Sequence, residues 1–187
     1  MIYHKPVLLN ESIEGLKIKP NGIYVDVTFG GGGHSKEIVK RLKQGFLYAF
    51  DQDADAIQNK IINKNFKLIR GNFRFIKNFL RLEGVEKIDG LIADLGISSF
   101  QIDVAERGFA HRLESKIDMR MNKDADLDAV KILNTYSENE IARVLYEYGG
   151  LNNAKKIAQK IIKARSDKKI SSTKQLKNIL QNFYPNK

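Results

Sequence analysis

The residues whose types and spacing could do chemistry are a run of four glycines and a set of carboxylates that close apolar runs. In I-Y-V-D-V-T-F-G-G-G-G-H-S, Ile23 to Ser35, a β-branched stretch stops in Gly30 to Gly33 and restarts as a helical pattern from Ser35 to Leu42. Strand, tight loop and helix start in that order receive nucleotide-like ligands. Glycine there takes φ > 0 without penalty and lets a ligand approach the backbone, although a flexible turn would use the same residues. Asp51 lies 21 residues after Gly30, near the spacing of about 20 at which a carboxylate reaches ribose hydroxyls. Asp94 closes a later apolar run, and either carboxylate could instead cap the next helix. The dinucleotide fingerprint needs a small residue three after Gly32, a place that Ser35 fills imperfectly. Asp26, just before the glycines, would repel a pyrophosphate but attract an amine, which points to S-adenosylmethionine.

The elements that must position these groups follow a βαβ rhythm. Strands are expected at Ile23–Thr28, Phe46–Asp51, Phe66–Arg70 and Ile88–Asp94, with helices from Ser35, over Asp55–Asn63 and over Phe75–Leu82. Such alternation implies α/β architecture: a doubly wound, Rossmann-like parallel sheet with helices on both faces. Ligands sit outside the carboxyl ends of its strands. Gly30 to His34, Asp51, Asn72 with Phe73, and Asp94 all fall at such ends. Further on, Asp128–Asn134 reads as a short helix. Ser137-x-x-Glu140 is a capping box opening a helix through Glu147, which Gly149-Gly150 stops. Ala154, Ile157, Ala158, Ile161 and Ile162 form an apolar stripe at helical spacing, with Lys156, Lys160 and Lys163 on another face, and Leu176, Ile179, Leu180 and Phe183 repeat the pattern.

The 187 residues, 42% apolar and 29% charged, suit a folded protein with a real core. There are no cysteines, which excludes disulfides and thiolate metal sites. The first residues lack the apolar core of a signal peptide, and no run approaches a membrane span; a cytoplasmic protein is expected. Of the net charge of +10, +9 falls in residues 152–187, with ten Lys or Arg against Asp167. A polyanion is the expected partner, against the simpler reading of a solvated, lysine-rich surface. His4 could touch a substrate phosphate, though a lone histidine near a terminus is more often just exposed.

Six blocks carry a specific resemblance: H-K-P-V-L-L-N-E (His4 to Glu11), D-V-T-F-G-G-G-G-H-S (Asp26 to Ser35), F-D-Q-D (Phe50 to Asp53), D-L-G-I-S-S-F-Q (Asp94 to Gln101), E-R-G-F (Glu106 to Phe109) and D-M-R-M (Asp118 to Met121). In order and spacing they resemble the bacterial small-subunit ribosomal RNA cytosine-N4 methyltransferases over nearly the whole sequence. The resemblance implies a methyltransferase core over residues 1–105 and a helical inserted domain over 106–187 that helps recognise substrate. It also implies S-adenosylmethionine contacts from Gly32, Gly33, His34, Asp51, Phe73, Asp94 and Gln101, and ribosomal RNA of the small subunit as partner. Two departures stand out: Phe100 replaces a common proline, and the family continues for roughly a hundred residues past the point matching Lys187. Relative to that family the sequence is truncated at its carboxyl end, and the expected sheet is therefore incomplete.

The implied chemistry is methyl transfer to the exocyclic nitrogen of a cytosine. That nitrogen is a poor nucleophile whose lone pair is delocalised into the ring, so it must be held in line and its N–H groups must meet acceptors. Asp94 and the carbonyls of Leu95 to Ser99 are the candidates, although the D/N/S-P-P-Y/F motif common among aminomethyltransferases is missing. No metal cluster is evident and none is required. RNA binding is assigned to Lys156, Lys160 and Lys163. The alternatives are a noncatalytic RNA-binding fragment and an NAD-dependent oxidoreductase, the latter sharing the fold but offering no hydride-transfer constellation.

Overall fold

The computed structural model describes residues 6–183. The protein divides into two compact units, one of residues 1–98 with 121–123 and one of residues 99–120 with 124–187. The boundary read from the sequence, 105/106, falls a few residues beyond the first of these divisions. His4 lies outside the described residues.

The first unit is built on a four-stranded, all-parallel sheet of β1 (Ile23–Asp26), β2 (Phe46–Asp51), β3 (Phe66–Arg70) and β4 (Gly90–Ile92), in the order β3-β2-β1-β4. The backbone moves outward from β1 to β3, then returns to the other side of β1 for β4. Because parallel crossovers keep one hand, this reversal puts the connecting helices on opposite faces. Alternation along the strands supplies both faces with apolar side chains. Tyr24, Leu47, Ala49 and Phe66 pack with Ile13 of α1 (Leu9–Gly15) and with Ile38 and Val39 of α2 (Gly33–Arg41). Val25, Tyr48 and Phe50 face the other way, onto Leu80 and Phe79 of α4 (Ile76–Leu82), with the Phe50 and Phe79 rings 5.7 Å apart.

Three elements are shorter than the sequence suggests. β1 stops at Asp26 because the Asp26 carboxylate takes the Thr28 N–H at 3.0 Å, a turn that competes with the ladder. β4 covers only Gly90–Ile92; Asp89 is drawn aside by Lys19 and the Ile23 N–H, and the Asp94 N–H donates to the Thr28 hydroxyl instead of to a strand. The helix expected over Asp55–Asn63 is the single turn α3 (Ala54–Ile57). Asn59 and Asn63 bond Gly30 and Asn65 through their side chains, the habit that makes Asn a poor helix former. Among the described residues β4 pairs with β1 alone, and Leu91, Leu95 and Ile97 on and after it are exposed.

The second unit is helical: α5 (Ser99–Asp103), α6 (Ala129–Thr135), α7 (Glu138–Glu147), α8 (Ala154–Asp167) and α9 (Thr173–Leu180). Its core gathers Val130, Ile141, Ile157, Ala158, Ile161, Ile170 and Leu180. Both hydrogen bonds of the Ser137–Glu140 capping box are made, and Ser172 with Gln175 forms a second box at α9. No helix of the described residues is long and apolar enough to cross a membrane.

Candidate functional site

The reversal of strand order at β1 is where a doubly wound sheet opens a crevice at its carboxyl edge. The glycine loop leaves β1 at that point. It is tied to the sheet by Phe29 N–H donating to the Phe50 carbonyl and closed by Gly32 N–H donating to the Phe29 carbonyl, at 3.0 and 2.7 Å. Gly30 and Gly32 have φ of +49° and +74°, a region other residues enter only under strain. A Cβ on Gly32 would meet the Phe29 ring at 2.9 Å and one on Gly33 would meet Pro6 at 2.0 Å, whereas one on Gly30 meets nothing closer than 3.9 Å. Two of the glycines are thus demanded by the protein's own packing, while Gly30 is called for by its backbone conformation alone. α2 starts directly from this loop, so its first N–H groups lack partners within the helix.

Asp51 ends β2 beside the loop. Its two carboxylate oxygens accept from the Gly30 and Asp53 N–H groups at 2.8 and 2.9 Å, and each oxygen keeps a further lone pair. Burial pushes its pKa above the usual carboxylate range, with the backbone amides of Asp53, Gly30 and Gln52 pulling the other way. Asp53 caps α3 by accepting from the Asp55 N–H, and Asn59 clamps the Gly30 carbonyl at 2.9 Å. After β3, Asn72 donates to the Gln52 side chain at 3.0 Å and caps the turn that presents Phe73, which is 41% exposed. Asp94 is exposed after β4, its backbone held to Thr28 at 2.7 Å. Thr28, Asn59 and Gln52 are supports the sequence reading passed over. Thr28 carries a visible signal, since Asp-x-Thr at a strand end favours a side-chain turn.

One expectation needs correcting. Asp26 does not face a ligand: it is 2% exposed and lies beneath the loop, accepting from the Ser35 hydroxyl at 2.6 Å and the Thr28 N–H at 3.0 Å. The His34 ring is also buried and its Nε2 meets the Val7 carbonyl at 3.1 Å; because a carbonyl only accepts, Nε2 is the donor, and what His34 offers the loop is its backbone N–H. Gly32, Gly33, His34, Asp51, Phe73 and Asp94 all belong to the first unit, at the carboxyl edge of its sheet. Gln101 is buried on α5 in the second unit. Lys156, Lys160 and Lys163 are exposed on α8, opposite the buried Ala154, Ile157, Ala158 and Ile161.

Burial raises the Asp26 pKa too, outweighing the Ser35 and Thr28 hydrogen bonds. A carboxyl raised on folding adds stability that is present below its unfolded pKa and lost as pH rises through the folded value. Ionised Asp26 therefore costs stability at neutral pH. Asp26→Asn is expected to melt above the parent at neutral pH, with the gap closing as pH falls toward about 4. Thermal melts across that range check it, and a lower melting point at neutral pH would contradict it.

Sheet order and the loop that leaves β1 together define a Rossmann-like α/β unit. The chain belongs to the MraW methylase family, whose profile matches residues 1–187. It is similar to proteins called ribosomal RNA small subunit methyltransferase H: 56% identical over 186 residues to that of Cytophaga hutchinsonii, and 52% identical over 188 residues to that of Flavobacterium johnsoniae. These matches cover 98% and 100% of this chain, which spans 62% of the length of either relative. Likeness to solved structures is slight. An rRNA methylase from Streptococcus thermophilus gives a TM-score of 0.35 at 22% identity, covering 43% of this chain and 51% of that one, a value too low to define the fold.

Proposed function

We propose that this protein supplies the cofactor half-site and an RNA-binding surface of an S-adenosylmethionine-dependent enzyme that methylates the exocyclic N4 of a cytosine in small-subunit ribosomal RNA. The observation that carries the reading is membership of the MraW methylase family together with relatives named as small-subunit ribosomal RNA methyltransferases. The site residues fit the cofactor. Gly30 presents a backbone with φ > 0 and no side chain, Asp51 retains acceptor capacity for ribose hydroxyls, and Phe73 offers an exposed ring face to an adenine. The backbone N–H groups of Gly33 and His34 border the same loop, while that of Gly32 closes it onto Phe29.

When bound, S-adenosylmethionine supplies an electrophilic methyl group. Asp94, held through its N–H to Thr28 just after β1, and the carbonyls that follow it accept hydrogen bonds from the amino group of the target base. The Asp94 carboxylate receives the proton that this nitrogen sheds as the methyl leaves the sulfonium sulfur and the new C–N bond forms. Gln101 is assigned to the cofactor contacts on the resemblance alone. The site works in the cytoplasm, on the small ribosomal subunit or its RNA.

Radiolabelled S-adenosylmethionine and small-subunit RNA test this, with the protein alone and with the C-terminal third of the Cytophaga relative added. Label is expected as N4-methylcytosine, more strongly with the added segment, because among the described residues β4 pairs with β1 alone and its other edge is open to a further strand. RNA binding without transfer under both conditions would favour a noncatalytic binding fragment. The exposed face of α8 gives a separate expectation. Replacing Lys156, Lys160 and Lys163 with Gln should weaken RNA binding for any sequence and flatten its salt dependence by roughly 0.7 per lost phosphate contact, about two in all. Cofactor binding should persist, and the target base should be chosen elsewhere, since phosphate contacts position and base contacts specify. A triple variant matching the parent in affinity and salt slope would reduce the stripe to a solvated surface.

A further inference from the structure

Two large aromatic side chains of the second unit are left in solvent where the backbone turns from α7 to α8. Tyr146 is 62% and Tyr148 83% exposed, although α7 buries Ile141 and packs Ala142 and Leu145 against the core of its unit. The backbone that carries them is fixed. Gly150 N–H donates to the Tyr146 carbonyl at 3.0 Å and Leu151 N–H to the Leu145 carbonyl at 3.2 Å. With Gly150 at φ +62°, the first of these bonds is the left-handed closure of a helix, from the residue past its end back to a carbonyl of its last turn, and Leu145 and Leu151 both pack against the core of the unit. A Cβ on Gly149 would lie 2.6 Å from the Leu145 carbonyl oxygen, so the turn in this form calls for glycine there.

Three residues after Leu151, α8 begins, and a connection this short makes the two helices antiparallel neighbours. Its first turn carries Lys155 and Lys156, both exposed. Among the described residues neither has an ion-pair partner, while the intervening Glu147 is turned to Arg143 at 3.9 Å. Exposed rings on a rigid turn, next to uncompensated ammonium groups in the most basic stretch of the protein, match single-stranded nucleic acid. Such strands stack bases on aromatic faces and run their phosphates along a positive track. A duplex would offer the phosphates but keep its bases hidden.

We propose that the closed end of the α7–α8 hairpin binds a single-stranded segment of RNA, with bases stacked on Tyr146 and Tyr148 and adjacent phosphates on Lys155 and Lys156. This rests on the RNA-substrate reading above and adds which form of RNA the second unit selects, and through which groups.

The test is fluorescence anisotropy of the whole protein with a labelled oligocytidylate, an abasic oligomer of equal length, and an RNA duplex. The Tyr146→Ala/Tyr148→Ala double variant, checked by circular dichroism, is expected to lose at least about tenfold in affinity for oligocytidylate with an unchanged salt slope, and to bind the abasic oligomer and the duplex as the parent does. The Tyr146→Phe/Tyr148→Phe variant keeps the ring faces and should stay near the parent. Lys155→Gln/Lys156→Gln should weaken all three ligands and lower the salt slope. An alanine variant that binds oligocytidylate like the parent, or that loses as much on the abasic oligomer, overturns the stacking platform and leaves the RNA reading standing. A parent protein that binds none of the three overturns both.

Discussion

Gly108→Ala is expected to destabilise the second unit by about 2–5 kcal/mol, combining left-handed backbone strain with overpacking against main chain. Gly108 has φ +71°, and a Cβ there would sit 2.5 Å from both the Asp118 nitrogen and the Lys116 oxygen. Neither contact is the end of a flexible side chain, so the backbone itself must give way. The residues around it are equally constrained. Arg107 is 2% exposed and donates to the Arg120 carbonyl at 2.8 Å, Met119 N–H donates to the Arg107 carbonyl at 2.9 Å, and Arg120 grips Asp118 through Nε and Nη2 at 2.8 and 2.7 Å. For a unit of this size the unfolding midpoint should fall by at least about 8 °C. Gly15→Ala, at a position with nothing within 4 Å, is the control and should be near neutral. A Gly108→Ala variant that melts with the parent would show that this crossing is not rigid.

Asp51→Ala is expected to cost roughly 1.5–3 kcal/mol of S-adenosylmethionine affinity, about 10- to 150-fold, by removing a charge-assisted acceptor from the ribose. The same change frees the Gly30 and Asp53 N–H groups from the carboxylate they now share, so part of the loss would come from the loop. Asp51→Asn separates the two contributions, since its one remaining acceptor oxygen can hold the loop or the ribose but lacks the charge. Calorimetry with the protein joined to the C-terminal third of the Cytophaga relative reads both variants. Dissociation constants equal to the parent's would make Asp51 a purely structural residue.

Much of the first unit is legible in the sequence because its strands are short apolar runs ended by residues that cannot continue them. β2 and β3 have the limits that F-L-Y-A-F-D and F-K-L-I-R suggest, and the Ser137 capping box needs only local chemistry to be seen. What escapes a linear reading is side-chain competition and long-range pairing. Nothing in Asp55–Asn63 announces that Asn59 will leave its helix for the Gly30 carbonyl, and the Thr28 hydroxyl meets the Asp94 N–H across 66 residues. Asp26 is a similar case. Its place in the strand is readable, but its orientation toward Ser35 rather than a ligand depends on where α2 begins. Arg107 and Gly108 enter the sequence reading only within the E-R-G-F block, and their contacts with the Lys116–Arg120 backbone are not visible there.

The most direct test of the cofactor site is an amide-resolved NMR titration of this protein with S-adenosylmethionine and, separately, with NAD, which reads weak binding as well as strong. S-adenosylmethionine is expected to shift the amide signals of Gly30 to Ser35 and of Asp51 to Asp53, with NAD leaving them in place. Unmoved glycine-loop amides at millimolar S-adenosylmethionine, or equal shifts with NAD, would contradict the assignment of this loop as a methyl-donor site.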